Sequence, residues 1–191
     1  MKVIAGKNIV CMTSEKEAST AVKDFVGMKL PAAFLLNHGV HGYGKFVYDE
    51  QTLRSFQTNL HKISDKLDRK QAYNVMYDMI KGGRIAGARV LDIINKNIGN
   101  ETAEDILQDN FKSLIPTIIG KYIPMDQYVK TNQDLFESTL KILASGQFTV
   151  PSTQELLLNS IISFANGDKQ LNIIYEWFMK DKITDLKGKV I

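Results

Sequence analysis

Residues 49–83 read DEQTLRSFQTNLHKISDKLDRKQAYNVMYDMIKGG, and this stretch decides the fold because its apolar residues recur at helical spacing. Asp49 is a candidate N-cap, since its carboxylate can accept a hydrogen bond from the free N–H groups of a first helical turn. A second helix is predicted from about Asp65 to the Gly82–Gly83 pair, because glycine commonly ends helices. The positions expected on the buried faces are Leu53, Phe56, Leu60 and Ile63, then Leu67, Ala72, Val75, Met76, Met79 and Ile80.

The helical period continues downstream of residue 83. We predict further helices at about 86–98, 101–123, 126–144, 152–165 and 168–180. Pro116 is expected to kink or divide the second of these, because proline removes one backbone donor. Alternate helices begin roughly 36 to 40 residues apart, a spacing typical of paired-helix solenoids. The pattern therefore predicts stacked antiparallel helix pairs that resemble armadillo or HEAT repeats in shape but lack their sequence signature.

Upstream of residue 49 the pattern is that of short strands. We predict strands at Ile9–Met12, Val22–Val26, Ala33–Leu36 and Tyr43–Tyr48. Four short strands can form a sheet but can hardly bury both of its faces, so the chain is expected to start inside a domain. The predicted domains are the end of a partial β-sandwich with junction strands at 1–48, and a helical domain at 49–191 that is expected to be truncated. The fold class is thus mainly α, a short amino-terminal β segment followed by an α-helical solenoid.

Composition and charge exclude several classes of protein. The 191 residues are 44% hydrophobic and 24% charged, close to the averages of globular proteins, so disorder is not indicated. The formal net charge of +3 comes from scattered lysines, which argues against a nucleic-acid partner. Cys11 is the only cysteine, so no internal disulfide can form. No signal peptide or membrane-spanning stretch is seen, and we expect a soluble cytoplasmic protein with no membrane partner.

Motifs that carry chemistry are missing from the sequence. It contains no H-E-x-x-H, the pattern that places two zinc ligands on one face of a helix. His38 and His41 have a spacing that could bind a metal, but zinc sites normally need three or four protein ligands, so a loop role is favoured. His61 is interpreted as a solvated or locally hydrogen-bonded side chain, and Cys11 as a buried, inert thiol. We therefore predict no catalytic, cofactor-binding or metal-ligating residue.

A resemblance to a known family rests on the order and spacing of several short patterns. They are Leu36-Asn37-x-Gly39-x-x-Gly42-Tyr43-Gly44-x-Phe46-x-x-Asp49-Glu50-x-x-Leu53, Asp65-x-Leu67-x-Arg69, Tyr77-Asp78-Met79-Ile80-x-x-Gly83-x-Ile85, Leu91-Asp92-Ile93-Ile94 and Tyr175-x-Trp177-Phe178. Together they resemble the join between the β-sandwich and the helical carboxy-terminal domain of thermolysin-like zinc aminopeptidases, the family of the alanyl and puromycin-sensitive aminopeptidases.

The resemblance implies an enzyme that removes amino-terminal residues from peptides. The zinc expected in that parent enzyme, its ligands and the general base would lie upstream, so this chain alone is expected to be inactive and to bind no cofactor. Its partners would be the upstream catalytic domain of the same polypeptide and the peptide substrate, whose cavity the helical part would shape and close. The alternative is a stand-alone helical-repeat scaffold that binds a protein or peptide along its concave face.

A truncated solenoid would leave apolar surface uncovered. The apolar stretches Leu156–Leu158 and Ile161–Ile162 are the candidates for that surface. We therefore predict some tendency of the chain to self-associate.

Overall fold

The structure, a computed structural model, describes residues 2–5, 8–11, 26–27, 29 and 31–191. The described part of the chain is mainly α-helical, which confirms the predicted class. The chain forms two compact units, Met1–Ala86 and Gly87–Ile191. The boundary between these units differs from the predicted division at residue 48, where the sequence pattern changes from that of strands to that of helices. The predicted domains and the solenoid shape stay predictions.

The first unit contains a small antiparallel sheet. Its strands are β1 (Lys2–Ala5), β2 (Asn8–Cys11) and β3 (Phe34–Leu36), in the order β2-β1-β3. Ile4 of β1 lies opposite Ile9 of β2 and Leu35 of β3. The predicted strands at Ile9–Met12 and Ala33–Leu36 correspond to β2 and β3, whereas β1 was missed. Most of the predicted Val22–Val26 strand lies outside the described residues.

The strand predicted at Tyr43–Tyr48 is wrong, because this segment joins no ladder. Its apolar residues have separate environments: Tyr43 and Val47 are exposed, and Tyr48 is buried. The Tyr48 ring meets the Phe56 ring edge to face with centroids 4.9 Å apart, and its backbone N–H donates to Met79 Sδ at 3.4 Å. Contacts with helices, not with a neighbouring strand, therefore explain the apolar pattern.

Two helices follow in the first unit, α1 (Glu50–Asn59) and α2 (Lys66–Lys81). The carboxylate of Asp49 accepts from Thr52 N at 2.7 Å, and that of Asp65 accepts from Leu67 N and Asp68 N. Both side chains thus satisfy amide donors that have no partner within the helix, which confirms the predicted helix starts.

The predicted core of these helices is largely confirmed. The exceptions are Ile63, which is only half-buried, and Leu67, which is exposed in the first turn of α2. The neighbouring positions Asp68 and Arg69 are buried in its place, which means that polar groups occupy the start of the buried face. The buried apolar residues of this region are Leu53, Phe56, Leu60, Ala72, Tyr73, Val75, Met76, Met79 and Ile80.

The second unit contains helices close to the predicted ones. They are α3 (Gly87–Ile98), α4 (Glu104–Asp109), α5 (Ile115–Tyr122), α6 (Met125–Ala144), α7 (Pro151–Phe164) and α8 (Asp168–Lys180). A single π turn, Asn110–Leu114, joins α4 to α5 and ends just before Pro116. Because the proline cannot donate to the preceding turn, the wider turn accommodates it, and the predicted division of this helix is confirmed.

Part of the core of the second unit lies where α6 packs along α7. Phe136 and Leu140 of α6 are fully buried there, as are Leu157 and Ile161 of α7. Helix α3 packs against α5 and α6, and α4 packs against α7. Among the described residues, no helix combines the length and the apolar character needed to cross a bilayer.

Two glycines of the second unit provide a matched test of this packing. A Cβ at Gly87 would lie 2.8 Å from Tyr122 O and 3.0 Å from Ile118 Cγ2, because α3 begins against α5. We expect Gly87→Ala to lower the free energy of unfolding by about 1–3 kcal/mol through overpacking. A Cβ at Gly120 in α5 would meet nothing within 4 Å, so Gly120→Ala should stabilise by about 0.5–1 kcal/mol.

Urea unfolding followed by the fluorescence of Trp177, the single tryptophan, measures both changes in the same unit. Shifts of the same sign for the two variants would contradict the close approach of α3 and α5.

Candidate functional site

A buried carboxylate organises the glycine-rich connection at residues 37–42. Asp68 lies on α2 and its side chain is only 4% exposed. One of its oxygens, Oδ2, is 2.6 Å from His38 Nδ1, and the other accepts from the backbone N–H of Gly39 at 3.4 Å. The connection is therefore attached to α2 by a charged group that is shielded from water. We call Asp68 together with residues 37–42 the Asp68 clamp.

The clamp holds an unusual backbone. Asn37 (φ 57°), Gly39 (φ 69°) and Val40 (φ 55°) all have left-handed conformations. Such a conformation is rare for a β-branched residue such as valine and persists only where the surroundings enforce it. The Asn37 side chain contributes to this: Nδ2 donates to Gly42 O at 2.9 Å, and Oδ1 accepts from Gly42 N at 2.7 Å. The connection is thus closed on itself as well as tied to α2.

A buried phenol lies close to the same carboxylate. Burial raises the pKa of Tyr48 well above its usual range, the negative charge of Asp68 acts in the same direction, and a backbone hydrogen bond with Leu36 opposes both. The phenol therefore stays protonated at neutral pH. Its place between β3 and α2 makes it a packing and hydrogen-bonding group, not a base.

The three histidine side chains do not converge on a common site that could bind a metal ion. His38 directs Nδ1 at Asp68, His41 is exposed with its ring against Gly39, and His61 lies in the turn after α1. Among the side chains that the structure describes, no three histidines, cysteines, aspartates or glutamates come together in a way that could hold a metal ion. The described residues thus do not fit a zinc centre.

The role of Asp68 was missed in the sequence. Its partner His38 lies 30 residues away, so the pair depends on how β3 and α2 come together. A signal was nevertheless present: residue 68 is in phase with the buried positions 72, 75 and 79 of α2. A carboxylate on the apolar face of a helix requires a partner, because burial of an unpaired charge is costly.

A groove with a mixed polar and apolar lining lies between α3 and α6 in the second unit. Its volume is about 320 Å³, and Ala88, Leu91 and Leu135 provide its apolar lining. Its polar lining consists of Asp92, Asn95, Gln127, Lys130, Thr131 and Asp134. Asn95 Oδ1 is buried and has no hydrogen-bond partner within the described part of the chain.

The groove is chemically suited to a polar chain. Its charges are tied up in intrahelical pairs, Lys96 with Asp92 at 2.7 Å and Lys130 with Asp134 at 3.2 Å. Exposed pairs of this kind contribute little to stability, so a ligand can compete for either member. Amide and hydroxyl groups between the pairs can donate to and accept from a peptide backbone.

Comparison with known proteins shows a partial similarity. Over 89 residues the chain is 30% identical to a protein described as aminopeptidase N from Streptomyces lividans, and the match covers 47% of this chain. The chain spans about a tenth of the length of that relative, since the match covers 10% of it. No protein-family model matches the chain. The match supports the predicted relationship to aminopeptidases, without specifying which domain of such an enzyme the chain represents.

Proposed function

We propose that this chain is the non-catalytic carboxy-terminal part of a zinc-dependent aminopeptidase, and that it helps to shape and close the peptide cavity. The observation that carries the proposal is the 30% identity to an aminopeptidase N over nearly half of the chain. The predominance of helix from residue 50 onward agrees with the helical domain that the sequence patterns resemble. Its partners are then the catalytic domain of the same polypeptide and the peptide substrate.

The chain itself performs no catalytic step in this function. The sequence has no H-E-x-x-H, and the described side chains do not fit a zinc centre. Under this proposal, the metal ligands and the general base belong to another part of the polypeptide. The contribution of this chain is to bind and orient the peptide, and we assign that role to the groove between α3 and α6, whose lining includes amide and hydroxyl groups.

An assay of two proteins tests whether catalysis requires the complete polypeptide. An amino-acyl fluorogenic substrate is given to the purified chain and to the product of the complete gene, each with and without added zinc. We expect zinc-dependent hydrolysis by the longer product and none by the chain. Zinc-dependent activity of the chain would contradict the proposal and would make His38 and His41 candidate zinc ligands.

The groove makes a second, sharper prediction for the longer product. Thr131→Trp fills the groove with an indole, so KM for peptides of several residues should rise roughly fivefold or more, a loss of about 1 kcal/mol. A substrate with a single amino-acyl group should be hydrolysed as before, because it does not extend away from the catalytic domain. Steady-state kinetics with both substrates measure the difference.

The control variant is Lys141→Trp, which adds the same side chain at an exposed position of α6 outside the groove. Equal effects of the two variants would mean that the groove does not contact the peptide.

The groove equally favours the alternative function, a helical scaffold that binds a peptide or protein without any catalysis. The two functions differ in the assay of the complete gene product. Absence of hydrolysis there, together with peptide binding to the chain that Thr131→Trp abolishes, would establish the scaffold in place of the aminopeptidase.

A further inference from the structure

Helix α8 exposes an apolar face. Leu171, Tyr175, Phe178 and Met179 are 52%, 59%, 83% and 60% exposed. Their spacing of i, i+4, i+7 and i+8 places them on one side of the helix, and we call these four residues the α8 face. Four large apolar side chains in one stripe differ from the scattered exposed residues that any surface carries.

The helix is attached to its own unit by a different edge. Gln170 and Trp177 are its buried residues, and Trp177 Nε1 donates to Thr184 Oγ1 at 3.0 Å. These two positions lie seven residues apart, about two helical turns, and define a narrow seam. The α8 face lies outside this seam, so intramolecular packing of the described residues leaves it open.

The exposed apolar surface is not the one from which self-association was predicted. The sequence pointed to Leu156–Leu158 and Ile161–Ile162 as uncovered apolar surface. Leu157 and Ile161 are instead fully buried against α6, and in this stretch only Ile162 is exposed. The uncovered surface therefore lies one helix further along the chain.

We infer that the α8 face is a self-association surface whose partner is α8 of a second copy of this chain. With residue areas of roughly 200 Å² for large side chains, the four residues expose about 500 Å². An isologous contact between two copies would bury about 1,000 Å², which is just below the range of stable interfaces and within that of weak, specific ones. The inference does not depend on the proposed function.

The charges at the ends of α8 favour an antiparallel pair. A two-fold axis near Tyr175, the middle of the α8 face, places Leu171 opposite Met179 of the second copy. It also brings Asp168 of one helix to the level of Lys182 of the other, and Lys169 to the level of Asp181. Residues of opposite charge then lie at the same level at both ends, and the two helix dipoles point in opposite directions. A parallel pair would bring like charges together.

Sedimentation equilibrium on the complete chain tests the inference. We expect the average mass to rise from 21.5 kDa toward twice that value as the concentration approaches about 1 mM, with a dissociation constant on the order of 100 µM. Phe178→Glu should raise the dissociation constant at least roughly tenfold, because it places a charge at the most exposed apolar residue of the contact. Its fold should be unaffected, since the side chain is exposed, and circular dichroism checks this.

The matched control is Met125→Glu, which alters an equally exposed apolar residue on α6. It should leave the mass unchanged at every concentration. If the control weakens association as much as Phe178→Glu does, the association is unspecific and the inference is overturned. A chain that stays monomeric over the whole range overturns it as well.

Crosslinking tests the register of the pair separately. Cys11→Ser removes the only native thiol. Tyr175→Cys then places one thiol on the proposed two-fold axis, next to the same thiol of the second chain. We expect a disulfide-linked dimer on mild oxidation, and little product when the cysteine is placed at Met125 instead. Equal crosslinking at both positions would exclude the antiparallel contact.

Discussion

Replacing Phe136 by alanine is expected to lower the free energy of unfolding of the Gly87–Ile191 unit by about 3–5 kcal/mol. The side chain is fully buried in α6, where this helix packs along α7. Removal of the ring loses the free energy gained when the ring is transferred from water to the core. It also leaves a cavity that the surrounding helices can close only in part. Because a domain of this size is stabilised by only about 5–15 kcal/mol, the loss is a large fraction of the total.

Urea unfolding followed by far-ultraviolet circular dichroism measures this change. The matched control is Phe178→Ala, the same substitution at an exposed position of α8, studied at low micromolar concentration. It should change the free energy of unfolding by no more than about 0.5 kcal/mol. A similar loss in both variants would mean that α6 and α7 do not form the core of this unit.

Asp68→Ala is expected to destabilise the Met1–Ala86 unit by about 2–4 kcal/mol. The substitution removes a buried acceptor from His38 and from Gly39 N, and it frees a connection whose Asn37 and Val40 are held in left-handed conformations. His38 is itself partly shielded, with its side chain 22% exposed, so water replaces the lost partner only in part. The strained backbone should then relax.

Hydrogen exchange of the α2 amides measures this loss, because it reports on the first unit alone. The control is Asp78→Ala on the same helix, whose pair with Lys81 is exposed and should be worth about 0.5 kcal/mol at most. Equal protection of the amides in Asp68→Ala and in the unchanged chain would show that the clamp does not hold the connection in place.

The sequence predicted the helices well because their signals are local. Asp49 and Asp65 cap amides two or three residues away, and Gly82 follows the end of α2, so each boundary is defined within one or two turns. Pro116 acts locally too, although the π turn that accommodates it was not foreseen. Local rules of this kind need no knowledge of what the helix packs against.

The errors have a common origin in contacts between distant segments. The segment at Tyr43–Tyr48 carries the composition of a strand, yet it joins no ladder, because Tyr48 packs on Phe56 and Met79. The α8 face was missed for the same reason. The apolar pattern of α7 and that of α8 look alike in the sequence, and only packing along α6 decides which one is buried.

The sequence by itself thus determined the mainly helical class, the position and ends of most helices, and a similarity to aminopeptidases that rests on the order of short patterns. Only the tertiary structure decided that Asp68 pairs with His38, that a groove lies between α3 and α6, and that α8 presents its apolar face outward. The physical reason is the range of the interactions. Helix periodicity and capping act over a few residues, whereas a hydrogen bond between distant segments, a groove and an uncovered face depend on which elements meet.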